Sequence, residues 1–177
     1  MNPAEMVAAE PLFKKAGLRE TTVLLGVAWL VPFVVHLVPW SGERPLGVYL
    51  LPMFWATFVA AYFYGARIGL LVGLFSPAIN LLVTGLPAWR FHGEMAVELA
   101  IFALVTAWAV RRLGRFALIA PLGYVGAKMV TMVLLAPTAP AMDLARSLVS
   151  ALAGLAALAA INAALVWFYP KSPGGER

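Results

Sequence analysis

An all-α integral membrane bundle of six transmembrane helices, with both termini in the cytoplasm, is the fold this sequence predicts, and three observations carry it. The chain is 63% hydrophobic and only 12% charged, with a mean hydropathy of +0.89, which a soluble domain around one buried core does not reach. Its apolar residues fall into segments near the roughly 20 residues needed to cross a hydrocarbon core of about 30 Å. The basic residues are also distributed unevenly between alternate connections. Lys14, Lys15, Arg19, Arg67, Arg111, Arg112, Arg115, Lys171 and Arg177 fall on one side of a six-span arrangement, and Arg44, Arg90 and Arg146 on the other. The positive-inside bias puts the first group, and with it both termini, in the cytoplasm. A sequence pI of about 9.9 then marks a membrane face and gives no reason to expect nucleic acid.

The elements follow in order. Residues 1–20 mix Lys14, Lys15 and Arg19 with Glu5, Glu10 and Glu20 around Leu12, Phe13 and Leu18, a pattern that predicts an amphipathic cytoplasmic segment on the membrane surface. The membrane domain occupies 21–169. Its first span, 21–38, contains Pro32 and ends at His36, Pro39 and Trp40. The second, 46–64, and the third, 68–86, are joined by a tight turn holding Arg67. A loop over 87–94 leads to a shorter fourth span, 95–110, with Glu98 one turn inside. The cluster Arg111, Arg112 and Arg115 precedes the fifth, 116–136, which carries Lys128. After a loop ending at Arg146, the alanine-rich sixth span, 147–169, contains Asn162. A polar cytoplasmic tail, 170–177, closes the chain.

The second and third spans organise the rest. Gly65, Gly69 and Gly73 recur one helical turn apart across their junction, a small-residue stripe that lets helix backbones approach closely in lipid. The third span ends in Ser76-Pro77, Asn80 and Thr84-Gly85-Leu86-Pro87, polar and helix-breaking chemistry that a plain anchor does not need. At 1.5 Å rise per residue, Glu98 lies about 6 Å, Asn80 about 9 Å and Lys128 about 12 Å below the outer ends of their spans. These groups are expected to share an outward-facing substrate pocket beneath an aromatic rim of Trp40 and Trp89, with His36 near the outer end of its own span. Ionisable side chains inside spans are costly and are functional candidates with a partner; Glu98 with Lys128 is the evident pair. The same rule is equally met by a pair that only fastens two helices together. Asn80 and Asn162 similarly fit interhelical hydrogen bonds, and the tryptophans fit an interface belt.

Several chemistries have no pattern here. The chain has no cysteine, which removes disulfides and thiolate chemistry. Two distant histidines, no His-Glu-x-x-His spacing and no Gly-rich phosphate loop predict neither a metal site nor an ATPase. Ser76 is followed by proline without a matching histidine, so a serine hydrolase is not supported.

The run Leu51-Pro52-Met53, Ala60-Ala61, Gly65, Gly69, Gly73, Ser76-Pro77, Thr84-Gly85-Leu86-Pro87 and Glu98-Leu99-Ala100-Ile101-Phe102 resembles the substrate-binding S component of energy-coupling factor (ECF) vitamin transporters. Gly126-Ala127-Lys128 is similar to that family's Gly-Arg segment, with Ala127 where arginine is more usual. The resemblance implies six helices, a pocket open to the outside for a vitamin-like small molecule, and a bacterial or archaeal plasma membrane. It also implies a transmembrane coupling subunit and two partner ATPases that use ATP, this chain binding no cofactor itself. The family's Ala-x-x-x-Ala docking patch is absent in its usual form, since Gly26 and Ala28 are followed four residues on by Leu30 and Pro32. Two other classes stay open: a membrane scaffold of similar fold, and a small enzyme acting on lipid through Glu98 or His92.

Overall fold

The computed structural model describes residues 18–42, 46–85, 89–135 and 141–171, so the expected amphipathic segment lies almost wholly outside the described residues, as does nearly all of the polar tail. The regular structure of the described residues is all helical: α1 (Leu18–Leu37), α2 (Leu46–Leu50), α3 (Pro52–Tyr64), α4 (Ala66–Thr84), α5 (Trp89–Leu113), α6 (Ile119–Leu135), α7 (Ala141–Ser150) and α8 (Leu152–Phe168). Three helical runs are long and apolar enough to cross a membrane, Leu46–Tyr64, Ala66–Thr84 and Phe91–Leu113. Leu144–Ser150 with Leu152–Phe168 makes a fourth if that bent pair is one span, and Leu25–Val35 and Ile119–Leu135 are shorter apolar runs.

Helix α4 forms the seam of the bundle. Gly65 adopts φ 79° and ψ −170°, a conformation open to glycine but strained for other residues, and this single residue separates α3 from α4. Arg67, expected in the connection, is the second residue of α4 and exposed. Beyond the turn, Ile68, Gly69, Val72, Gly73, Ser76, Pro77 and Asn80 are the buried face of α4, the three-and-four spacing of a helix packed on one side. A Cβ on Gly69 would lie 2.9 Å from Ala61 Cβ and 3.4 Å from Ala103 Cβ, and one on Gly73 would lie 3.0 Å from the Leu99 carbonyl oxygen. The glycines therefore admit α3 and α5 to near backbone contact. Gly65 itself meets only Arg111, 3.6 Å from the position its Cβ would take, and serves the turn more than the packing.

Aromatic rings fill the space between α3, α5 and α6. Phe54 stands edge-on to Phe102 at 5.1 Å and to Tyr124 at 4.9 Å between centroids, a favoured quadrupole arrangement. Gly123 brings α6 onto α5: its Cβ would meet Thr106 Cγ2 at 2.6 Å.

Four boundaries differ from expectation. The second span is broken at Leu51, which takes φ 54°, because Pro52 disfavours helix in the residue before it. The break is buried against α8, where a Cβ on Gly154 would lie 2.8 Å from the Tyr49 carbonyl oxygen. The run expected as the sixth span is broken at Ala151, with a 61° bend between α7 and α8, and the loop expected after the fifth is in part α7. Ala141, Met142, Leu144, Ala145 and Arg146 are good helix formers within that expected loop. Helix α5 begins at Trp89, well inside the expected 87–94 loop, so Glu98 lies about 14 Å into it rather than about 6 Å.

Packing at these glycines yields a paired prediction. Gly69→Leu forces bulk against Ala61 and should cost about 1 to 3 kcal/mol. Gly126→Ala, whose Cβ meets nothing within 4 Å, should be neutral or stabilising by up to about 1 kcal/mol. Thermal unfolding in detergent checks both; equal melting temperatures for wild type and Gly69→Leu would place Gly69 in a loose environment.

Candidate functional site

The register set by α4 and α5 decides where the polar groups sit. Gly69 faces Ala103 and Gly73 faces Leu99, so the two helices run antiparallel, and Asn80, further along α4, comes to about the level of His92. Glu98, one residue from the Leu99 contact, projects elsewhere on α5. Its Oε2 accepts a hydrogen bond from Lys128 Nζ of α6 at 2.9 Å, with side-chain exposures of 7% for Glu98 and 18% for Lys128. This is the ion pair read from the sequence. Tyr124, one turn before Lys128 on α6, is buried at 3% exposure and lies within electrostatic range of Glu98, as does Glu94.

Most other buried polar groups are satisfied locally. Thr57, Ser76 and Thr106 hydroxyls donate to the carbonyls of Met53, Val72 and Phe102, four residues back, a common resolution for hydroxyls in apolar helices. Thr131, one turn beyond Lys128 on α6 and fully buried, departs from this pattern because its Oγ1 has no partner among the described residues. Asn80 is fully buried as well; its Nδ2 donates to the Ser76 carbonyl at 3.2 Å, while Oδ1 is without a partner among the described residues. Trp55 Nε1, on α3, is a third such atom. A buried polar atom without a partner costs about 1 to 3 kcal/mol, and each of these calls for an explanation.

Asn162 has its partners. Its Oδ1 accepts from the Ala120 N–H at 2.8 Å, and Nδ2 donates to the Phe116 carbonyl at 3.1 Å. Ala120 is the second residue of α6, where backbone donors lack an intrahelical acceptor, so this asparagine caps α6 from α8. Tyr62 does the converse for α8: its hydroxyl donates to the Tyr169 carbonyl at 2.7 Å and approaches that of Leu165 at 3.3 Å. Lys171 donates to the Tyr62 carbonyl and lies 4.8 Å from the centre of its ring.

Of the predicted site residues, the structure pairs Glu98 with Lys128 and sets Asn80 about 6 Å from the close of α4. Trp40 is exposed and stands 5.7 Å from the Tyr49 ring. His36 lies in α1 and Trp89 opens α5, with side chains outside the described set. Sequence reasoning missed Thr131, Trp55 and Tyr124; the three-and-four spacing of Ala120, Tyr124, Ala127 and Thr131 was the available signal for the two on α6. Among the described residues, no group of three His, Asp or Glu side chains could hold a metal ion. Comparison with known proteins gives no match of this chain to a family model, a curated protein or a solved structure.

Replacing the α8 cap tests the division between structural and candidate ligand groups. Asn162→Ala leaves the Ala120 donor and the Phe116 acceptor unpaired and should lower stability by about 1 to 3 kcal/mol. Denaturant unfolding in detergent reads the change; a loss below about 0.5 kcal/mol would remove the capping role.

Proposed function

We propose that this chain is the membrane-embedded substrate-capture subunit of an ATP-driven importer of the ECF type, taking up a vitamin or related micronutrient, with six spans and both termini cytoplasmic. The observation that supports it is the Glu98–Lys128 pair, held inside the bundle at 2.9 Å with the unpartnered Thr131 oxygen one turn further out. A helix-fastening pair is satisfied by its own two members, whereas a buried polar atom left without a partner gains most from a ligand that supplies the missing bond. Asn80 Oδ1, toward the mouth, offers an acceptor and Trp55 Nε1 a donor. The broken α2–α3 run adds to the reading, since interrupted helices at membrane depth are tolerated where they are buried in protein or line a cavity and commonly border transporter sites. A small ring-bearing nutrient with both charged and neutral polar groups fits this donor set, and apolar walls with few placed polar groups suit its capture. In this reading the chain works with a transmembrane coupling subunit and two ATPases that consume the ATP. The scaffold reading keeps one specific support, the closeness of the ion pair itself.

Two experiments separate these readings. Glu98→Ala should weaken binding of the small molecule that copurifies with the protein, identified by mass spectrometry, by about tenfold to a hundredfold. Glu98→Ala combined with Lys128→Met removes both buried charges and should recover stability without recovering binding. A stable double variant that binds at full strength would leave the pair as a fastening alone. For the topology, the absence of native cysteine makes single reporters clean. Arg90→Cys should react with an impermeant thiol reagent in intact cells and Leu113→Cys should not; the opposite result inverts the orientation.

A further inference from the structure

At the end of the bundle opposite the mouth, the connection entering α6 and the last turn of α8 enclose a shallow groove of about 450 Å³. It is lined by Arg115, Ala117, Ala163, Val166, Trp167 and Pro170. Asn162 fastens its two walls together through Ala120 and Phe116, so the groove is part of the built structure. Its chemistry has two parts. The walls are apolar and continue along the bundle surface into the exposed side chains of Leu118 and Leu122. One rim is cationic: Arg115 is the charged member of the lining, and Arg111 and Arg112 stand exposed one turn back. Among the described residues no carboxylate pairs with any of the three. Helix α6 starts two residues after Ala117, which adds the positive end of its dipole to the same rim. Trp167, 82% exposed, and Phe168, 70% exposed, place an aromatic band at this level, as expected where a helix leaves the hydrocarbon.

We infer that this groove seats an anionic phospholipid, its phosphate against Arg115 and an acyl chain along Ala163, Val166 and Trp167. A guanidinium pairs with phosphate through two parallel hydrogen bonds, and an open groove walled by Ala163, Val166 and Trp167 of α8 offers an acyl chain apolar contact. Free phosphate would use the rim and leave the apolar walls unmatched, which is why the lipid is the better fit. The inference rests on the membrane reading of the chain and is independent of substrate capture at Glu98, whose variants test that function separately.

Short-range quenching tests it. The protein is placed in nanodiscs of phosphatidylcholine containing equal mole fractions of either brominated phosphatidylglycerol or brominated phosphatidylcholine. Subtracting the signal of Trp167→Phe isolates Trp167 from the other tryptophans. Occupancy by phosphatidylglycerol should exceed that by phosphatidylcholine about fivefold, the contribution of one basic residue near an anionic lipid. Arg115→Gln should abolish the preference, whereas Arg67→Gln, at the same end but outside the groove, should leave it intact. Equal quenching by the two lipids in the wild type overturns the proposal. So does an equal loss in both arginine variants, which would reveal diffuse attraction to an anionic surface rather than a seat.

Discussion

Close backbone contact along α4 is the constraint on which the rest of the structure depends. With Gly69 against Ala61 and Ala103 and Gly73 against the Leu99 carbonyl, α4 has little freedom to slide or rotate between α3 and α5. In lipid, where apolar surface gains little by leaving its surroundings, such close packing is a principal source of helix association. The register fixed there passes directly to the polar groups. Leu99 presents its backbone to α4, so its neighbour Glu98, about 100° further round the helix, is turned toward α6 and Lys128. The Gly123 contact with Thr106 sets α6 at the height that completes the pair.

Polar groups divide by how they are satisfied. At the Arg115 end, side chains from one helix cap another: Asn162 holds the start of α6, and Tyr62 holds the close of α8. These contacts answer the backbone's own unmet hydrogen bonds, as a medium without water requires. Toward the opposite end, the accounting does not close among the described residues, since Thr131 and Asn80 each retain an unpaired oxygen there. That contrast among the described residues is the support for the ligand proposed at the second end.

The sequence made much of this legible, because the strongest constraints were written in residue type. Apolar length and composition gave the helical membrane class, the turn-spaced glycines gave the α4 seam, and two lone charges in apolar segments gave the Glu98–Lys128 pair. Helix breaks were harder to place. Pro32 and Pro77 sit within α1 and α4, whereas Pro52 divides α2 from α3; proline alone does not say which outcome the surrounding packing permits. Gly154 supplies that packing at Leu51 from about a hundred residues away. The early start of α5 was hidden because Arg90, His92, Gly93 and Glu94 are polar or weak helix formers, although a helix end outside the apolar core can be polar. Likewise, the orphaned oxygen of Thr131 is visible only once its neighbours are placed, since a threonine in an apolar helix ordinarily bonds to the carbonyl four residues back.

The central claim is that the Glu98–Lys128 pair serves a bound molecule as well as joining α5 to α6. A structure of the protein extracted together with its copurifying small molecule tests it most directly. The account predicts that the molecule lies within about 3 Å of the Glu98 carboxylate or the Lys128 ammonium, with Thr131 Oγ1 or Asn80 Oδ1 acquiring a partner. A molecule seated elsewhere, with both oxygens still unpaired and the ion pair still closed at 2.9 Å, would contradict it.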